Sequence, residues 1–231
     1  MTLTGISSIA TRQLLADLAC SYQQQTGVTV AITSVGGVDA VQRLQAGAAF
    51  DVVFLAAVTI DKLITSGHVQ ADSRVNLVQS PVAVAVRAGA PVPDIASEDA
   101  VKQAVLAAPS ISVSTGPSGV FLNQLFARWG IAEQVAPRLV QAPPGVPVGS
   151  LVARGDVALG FQQWSELMTL PGITVVGTLP AAIACITTFS AGLGLACSQP
   201  DAVRAMLAFM TSTACAATIR RHGMEPAPTR T

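Results

Sequence analysis

Charge is what this sequence has least of. Asp, Glu, Lys and Arg make up only 11% of the 231 residues, and thirteen bases balance thirteen acids. The bases never cluster beyond the pair Arg220 and Arg221. A surface for nucleic acid needs a basic patch, so that partner is excluded. Long apolar runs are missing as well: Gly, Pro or a charged residue interrupts each one before the ~20 residues that span a bilayer. The four cysteines (Cys20, Cys185, Cys197, Cys215) show no C-x-x-C spacing, which argues against zinc and against a thioredoxin-type centre. They read as buried free thiols, with a Cys185–Cys197 bridge as the alternative. There are two histidines, His68 and His222, with no acidic neighbour in sequence, and both are expected to lie exposed at helix ends. No H-E-x-x-H, G-x-S-x-G, G-x-G-x-x-G or Gly-Lys-Ser/Thr pattern occurs, so the metalloprotease, hydrolase, dinucleotide and Walker-type readings lack their signatures. Neither a cofactor nor a metal is expected. The first residues carry no basic and apolar leader. Either a signal peptide was removed and the protein is periplasmic, or it is cytoplasmic.

What is present is core-forming material: 51% hydrophobic residues and a mean hydropathy of +0.55. That balance excludes disorder. The run Leu3–Ser7 reads as a strand, and Leu14, Leu15, Leu18 and Tyr22 follow at helical spacing. Val28–Ile32 and Asp51–Leu55 read as further strands. Helices ended by Gly47 and Gly67 follow them. Pro81–Arg87 alternates as a strand, and Ser97 reads as the N-cap of a helix to Ala108. Ile111–Ser114, the loop Thr115–Gly119 and a helix to Arg128 repeat the strand, turn, helix order. A helix over Val148–Ala153 and strands over Val157–Phe161, Ile173–Val176 and Ile186–Leu195 come next. Helices over Pro200–Met210 and Thr213–His222 and a Pro-rich tail from Glu225 to Thr231 complete the chain. Alternation of this kind predicts an α/β fold with parallel sheets and helices on both faces. Two Rossmann-like lobes with a hinge are expected, one from residues 1–80 plus 190–231 and one from 81–189, hinged near Ser80 and Thr188, with a ligand cleft between them.

Ligands of open α/β sheets bind at the carboxyl ends of strands, where helix N-termini offer free N–H groups to an anion. Three loops stand there: Ser7-Ser8, Gly36-Gly37 and Thr115-Gly116-Pro117-Ser118-Gly119. Gly116 and Gly119 would let a ligand approach the backbone, and Ser118 adds a hydroxyl. Gln162 and Gln163, ending an apolar strand beside Trp164, offer side-chain amides. Each has a plain structural alternative: a helix cap, a tight turn, or a strand end facing water. Arg12, Arg74 and Arg87 are candidate partners for a carboxylate, or else surface charges. Glu166 is the one acidic residue beside a candidate motif; it is a base if the protein is an enzyme, or an acid favoured at a helix start.

Four segments together resemble the molybdate-binding protein family of ABC importers: Thr4-Gly5-Ile6-Ser7-Ser8, Arg43 to Val52 (RLQAGAAFDV), Pro117 to Phe121 (PSGVF) and Leu159 to Gln163 (LGFQQ). The resemblance runs over essentially the whole chain and implies a type II periplasmic-binding fold. It also implies capture of one anion and, as partner, the importer's membrane subunits. In that family a serine of the first loop (here Ser8), a serine of the second loop, backbone N–H groups of the third and a tyrosine hold the anion. This chain has Gly36-Gly37-Val38 at the second position and Gln163 at the tyrosine. Two hydroxyl donors are thus replaced, which favours a di- or tricarboxylate over molybdate. The segments Asp72 to Leu77 (DSRVNL), Val86 to Pro91 (VRAGAP) and Phe161 to Leu167 (FQQWSEL) resemble a branch of the family that includes aconitate isomerases. The expected protein is a monomeric, non-spanning solute-binding protein for a small anion, with isomerisation of a tricarboxylate as the alternative.

Overall fold

The computed structural model describes residues 1–228. In chain order its first half contains β1 (Thr2–Ser8), α1 (Arg12–Thr26), β2 (Thr29–Val35), α2 (Gly37–Gln45), β3 (Val52–Ala56), α3 (Ala57–Thr65), β4 (Val75–Arg87), α4 (Glu98–Ala107), β5 (Ile111–Val113) and α5 (Pro117–Arg128). The second half contains α6 (Ala132–Val135), β6 (Leu139–Gln141), α7 (Val148–Arg154), β7 (Leu159–Gln163), α8 (Trp164–Leu167), β8 (Ile173–Thr178), β9 (Ile186–Leu193), α9 (Pro200–Met210), α10 (Ala216–Arg221) and β10 (Glu225–Pro226). The chain forms two compact units, one of Met1–Ser80 with the chain from Thr188 onward, the other of Pro81–Thr187. It crosses between them twice, inside β4 and inside β9.

In the first unit β2, β1 and β3 run parallel, and β9 lies antiparallel beside β3. Successive β3 side chains point to opposite faces. Val52 and Phe54 meet α1 and α9 through Leu14, Leu15, Leu18, Val203, Met206 and Met210. Val53 and Leu55 meet α2 and α3 through Ala40, Leu44, Ile60 and Leu63. Covering on both faces is why this strand reads as an unbroken apolar run. Each buried side chain of this size contributes about 1.5–3 kcal/mol. At the end of the sheet away from Ser8, the Asp51 carboxylate accepts from the amide and the hydroxyl of Thr4, both at 2.8 Å.

In the second unit β7, β5 and β6 run parallel while β4 lies antiparallel to β7 and to β8. One face packs on α4 and α5 through Val82, Val84, Val101, Val105, Leu122, Phe126 and Phe161. On the other face α7 sits so close to β7 that a Cβ on Gly160 would lie 2.5 Å from Val152. Ser97 caps α4, its hydroxyl accepting from the Ala100 amide at 3.1 Å.

Several expectations need correction. The sheets are mixed, because β4, β8, β9 and β10 run against their neighbours. The fourth strand begins at Val75, well before Pro81. The expected tail starts as β10, which pairs with Val78 and Gln79; Thr229, Arg230 and Thr231 lie outside the described residues. The four cysteines are free thiols, and only Cys215 is buried; Cys20 is exposed on α1. His222 does end a helix but is partly buried and holds an acid, with Nε2 2.8 Å from Asp17. His68, also partly buried, meets the Ser66 hydroxyl at 2.9 Å.

Candidate ligand site

Strand direction gathers the candidate residues of the first unit. β1, β2 and β3 are parallel, so Ser8, Gly36 and Ala57 stand at one end of the sheet. β9 enters at that same end, since Phe189 pairs with Ala56. Ser7 is fully buried and its hydroxyl meets that of Ser34 at 2.8 Å across the β1–β2 pair. Ser8 differs. It holds the N-cap position of a short 3-10 helix (Ile9–Thr11) but makes no side-chain cap bond. Its hydroxyl is buried without a partner. A buried polar atom left unpaired costs about 1–3 kcal/mol, so capping does not account for this serine. Ser80, fully buried where β4 leaves the unit, has a second unpartnered hydroxyl.

Gly36 and Gly37 are not required by a tight turn. Gly36 has φ −57° and ψ 143°, which any residue adopts, and Gly37 opens α2 with open space where a Cβ would stand. The first N–H groups of this nine-residue helix have no partner within the helix itself.

In the second unit the parallel pair β5 and β7 delivers Thr115–Gly119 and Gln163 to one end of the sheet. The Ser118 and Ser114 hydroxyls lie 3.0 Å apart and Ser118 is buried. Gly116 is the N-cap of α5 with little around it, whereas a Cβ on Gly119 would fall 1.8 Å from the Ser114 carbonyl oxygen. Gly119 therefore closes the loop on itself and does not open it to a ligand.

The two glutamines part company, because neighbours on a strand face opposite ways. Gln162 is consumed inside the unit: its Oε1 accepts from the Gly149 amide at 2.9 Å and its Nε2 donates to Glu166 Oε1 at 2.7 Å. It caps α7, and it holds Glu166 on the face of β7 away from Gln163. Gln163 is 5% exposed, and its Nε2 donates to Thr187 Oγ at 2.7 Å while Oε1 has no partner. Thr187, Ser80 and Ser34 carry no mark in the sequence that singles them out as site residues. Ser80 and Thr187 flank the two crossings, which was the one available signal.

The arginines disperse. Arg74 is paired with Asp61 at 2.5 Å. Arg87 lies beside Gly155 at the opposite end of the sheet from Gln163, since Val82 pairs with Gln163 and Val86 with Leu159. Arg12 is exposed at the start of α1. Among the described residues the buried polar set contains no Lys or Arg. Buried groups at these strand ends thus offer a ligand hydroxyls and a bare amide oxygen, with backbone N–H dipoles beside them, and no buried cation.

The sequence signature of bacterial extracellular solute-binding proteins matches residues 3–225. The chain belongs to that family. An aconitate isomerase from Pseudomonas sp is 39% identical over 98% of this chain and 88% of its own length. The periplasmic molybdate-binding protein of Azotobacter vinelandii has the same fold, with a TM-score of 0.79, 21% identity and coverage of 98% of this chain and 100% of that one. PEB3 of Campylobacter jejuni, solved with L-phospholactate, superimposes with a TM-score of 0.77 at 16% identity, covering 97% and 100% of the two chains. The solute-binding fold accounts for the mixed strand directions: in each unit one or two strands return against a parallel set. No single helix among the described residues of this solute-binding protein is long and apolar enough to cross a membrane.

Proposed function

We propose that this solute-binding protein captures one small polycarboxylate of the aconitate class at its strand-end loops. The observation that carries the reading is the buried, unpartnered hydroxyl of Ser8 at the end of β1, free to donate to a carboxylate oxygen. Groups left unsatisfied in a well-packed protein are explained when a ligand supplies the missing partner. The 39% identity to an aconitate isomerase favours a tricarboxylate over an inorganic oxyanion. The reading includes delivery of that acid to the membrane subunits of an ABC importer. Ser8, Gly36, Gly37, Thr115, Gly116, Ser118 and Gln163 are the proposed contacts, with Arg12, at the start of α1, as the cation that follows the first loop. A thermal-shift panel tests this: cis- and trans-aconitate should raise the melting temperature, and molybdate, tungstate and sulfate should not. Stabilisation by the oxyanions alone would refute it.

The same identity supports a second reading, isomerisation of aconitate by proton transfer. Moving the double bond requires a base beside a carbon next to a carboxylate. Glu166 is bonded to Gln162 on the other face of β7 from Gln163, which counts against it as that base. NMR of cis-aconitate in deuterated water with the protein distinguishes the two readings. Deuterium uptake with interconversion establishes turnover, and binding without exchange establishes capture alone.

A further inference from the structure

We propose that Thr187 is a positioning residue that lets Gln163 present either a donor or an acceptor to the ligand, and so admits both hydroxy-acids and fully ionised acids. The inference rests on the anion-capture reading. Both side chains are buried at the carboxyl end of β7, 5% and 8% exposed, and they are joined by a bond of 2.7 Å. In the orientation seen, Gln163 Nε2 donates to Thr187 Oγ and Oε1 is left bare. A bare amide oxygen suits a ligand hydroxyl or a protonated carboxyl, and repels a carboxylate. Rotating the amide by half a turn exchanges O and N at nearly the same positions. Thr187 then donates its own proton to Oε1, and the Nε2 hydrogens face the ligand as donors to a carboxylate. A hydroxyl is what this partner position requires, because it alone among small side chains both donates and accepts. Ser165, Glu166 and Gln162 belong to neighbouring positions, and Gln162 has both of its amide atoms engaged elsewhere.

The test is calorimetry with cis-aconitate and with citrate on wild type, Thr187→Val and Thr187→Ser, alongside the Gln163 side-chain amide resonance identified with Gln163→Leu. Thr187→Val should weaken both acids by about tenfold, the loss expected for an unpinned hydrogen bond to a charged ligand. Thr187→Ser should recover both to within about threefold. In wild type the Gln163 amide protons should shift with cis-aconitate and move less with citrate. Equal affinities in Thr187→Val and wild type would overturn the inference, as would equal losses in the Val and Ser variants. An amide resonance that neither acid moves overturns it without reliance on any variant's folding. Wild type that binds neither acid would instead sink the capture reading itself.

Discussion

Ser8 carries two opposing expectations, and together they separate a ligand contact from a structural serine. Its hydroxyl is buried and unpaired in the free protein. Removing it relieves a desolvated group while deleting a donor to the ligand, so Ser8→Ala should leave stability unchanged or raise it by about 1 kcal/mol. The same change should weaken cis-aconitate about ten- to a hundredfold, since a hydrogen bond to a charged group is worth about 1.5–3 kcal/mol. Urea unfolding of the free protein and calorimetry give the two numbers; reduced stability with unaltered affinity would return Ser8 to the core. Cys185 makes a pH expectation. Burial pushes its thiol up from 9.0 to about 11. The unfolded chain therefore releases this proton first as pH rises. The thiol's contribution to stability is intact below about pH 9, falls between about 9 and 11, and is gone above that. Urea midpoints at about pH 8 and about pH 10 should differ less in Cys185→Ala than in wild type. At this scale the sequence was legible in residue type more than in direction. Ser8, Ser118 and Gln163 stand at strand ends as their types suggest, but nothing in a Gln-Gln pair reveals which amide faces inward. That depended on the strand ending at Gln163 and not at Phe161.

Elements bounded by strong local chemistry are legible in the amino-acid order alone. Pro200 at the first turn of α9, Ser97 at the cap of α4, and Gly47 and Gly67 with φ of 87° and 73° past the ends of α2 and α3 all fall where their chemistry requires. What escaped was set by long-range pairing. Val75–Ser80 has no clean alternation because β4 serves both units, and β10 is a strand only through Val78 and Gln79. Glycines in the loops make the same point by experiment. Gly119 and Gly37 look alike in sequence, but a Cβ at 119 meets a carbonyl oxygen at 1.8 Å and a Cβ at 37 meets nothing. Gly119→Ala must displace the Ser114 turn and should cost several kcal/mol, at the upper end of single substitutions, about 3 or more. Gly37→Ala should be neutral or stabilise by up to about 1 kcal/mol, because alanine restricts the unfolded chain and suits a helix. Thermal unfolding of the two variants checks the sign of each.

The whole molecule is organised so that neither unit's candidate residues depend on a linker. Crossings inside β4 and β9 make the first unit discontinuous in sequence, and they bring Ser80 and Thr188 to the strand ends that also carry Ser8. A polar contact that needs no long loop gives the sequence no compositional mark, which is why Ser80 and Thr187 had no motif to announce them. The layout makes a thermodynamic expectation. A ligand held by a strand-end loop is linked to the stability of that loop, and at about a hundredfold excess over Kd it adds about 2.7 kcal/mol to whatever opening would release it. Hydrogen exchange with saturating cis-aconitate should therefore slow in the peptides that carry the proposed contacts, residues 7–14 for Ser8, 115–120 for Ser118 and 160–166 for Gln163. The α4 segment, which carries none of the proposed contacts, should exchange as before. Slowing confined to 115–120 and 160–166 would assign the ligand to the second unit alone, and Ser8→Ala would then leave affinity intact. The two measurements bear on one another, because only openings that release the ligand are penalised by its binding free energy.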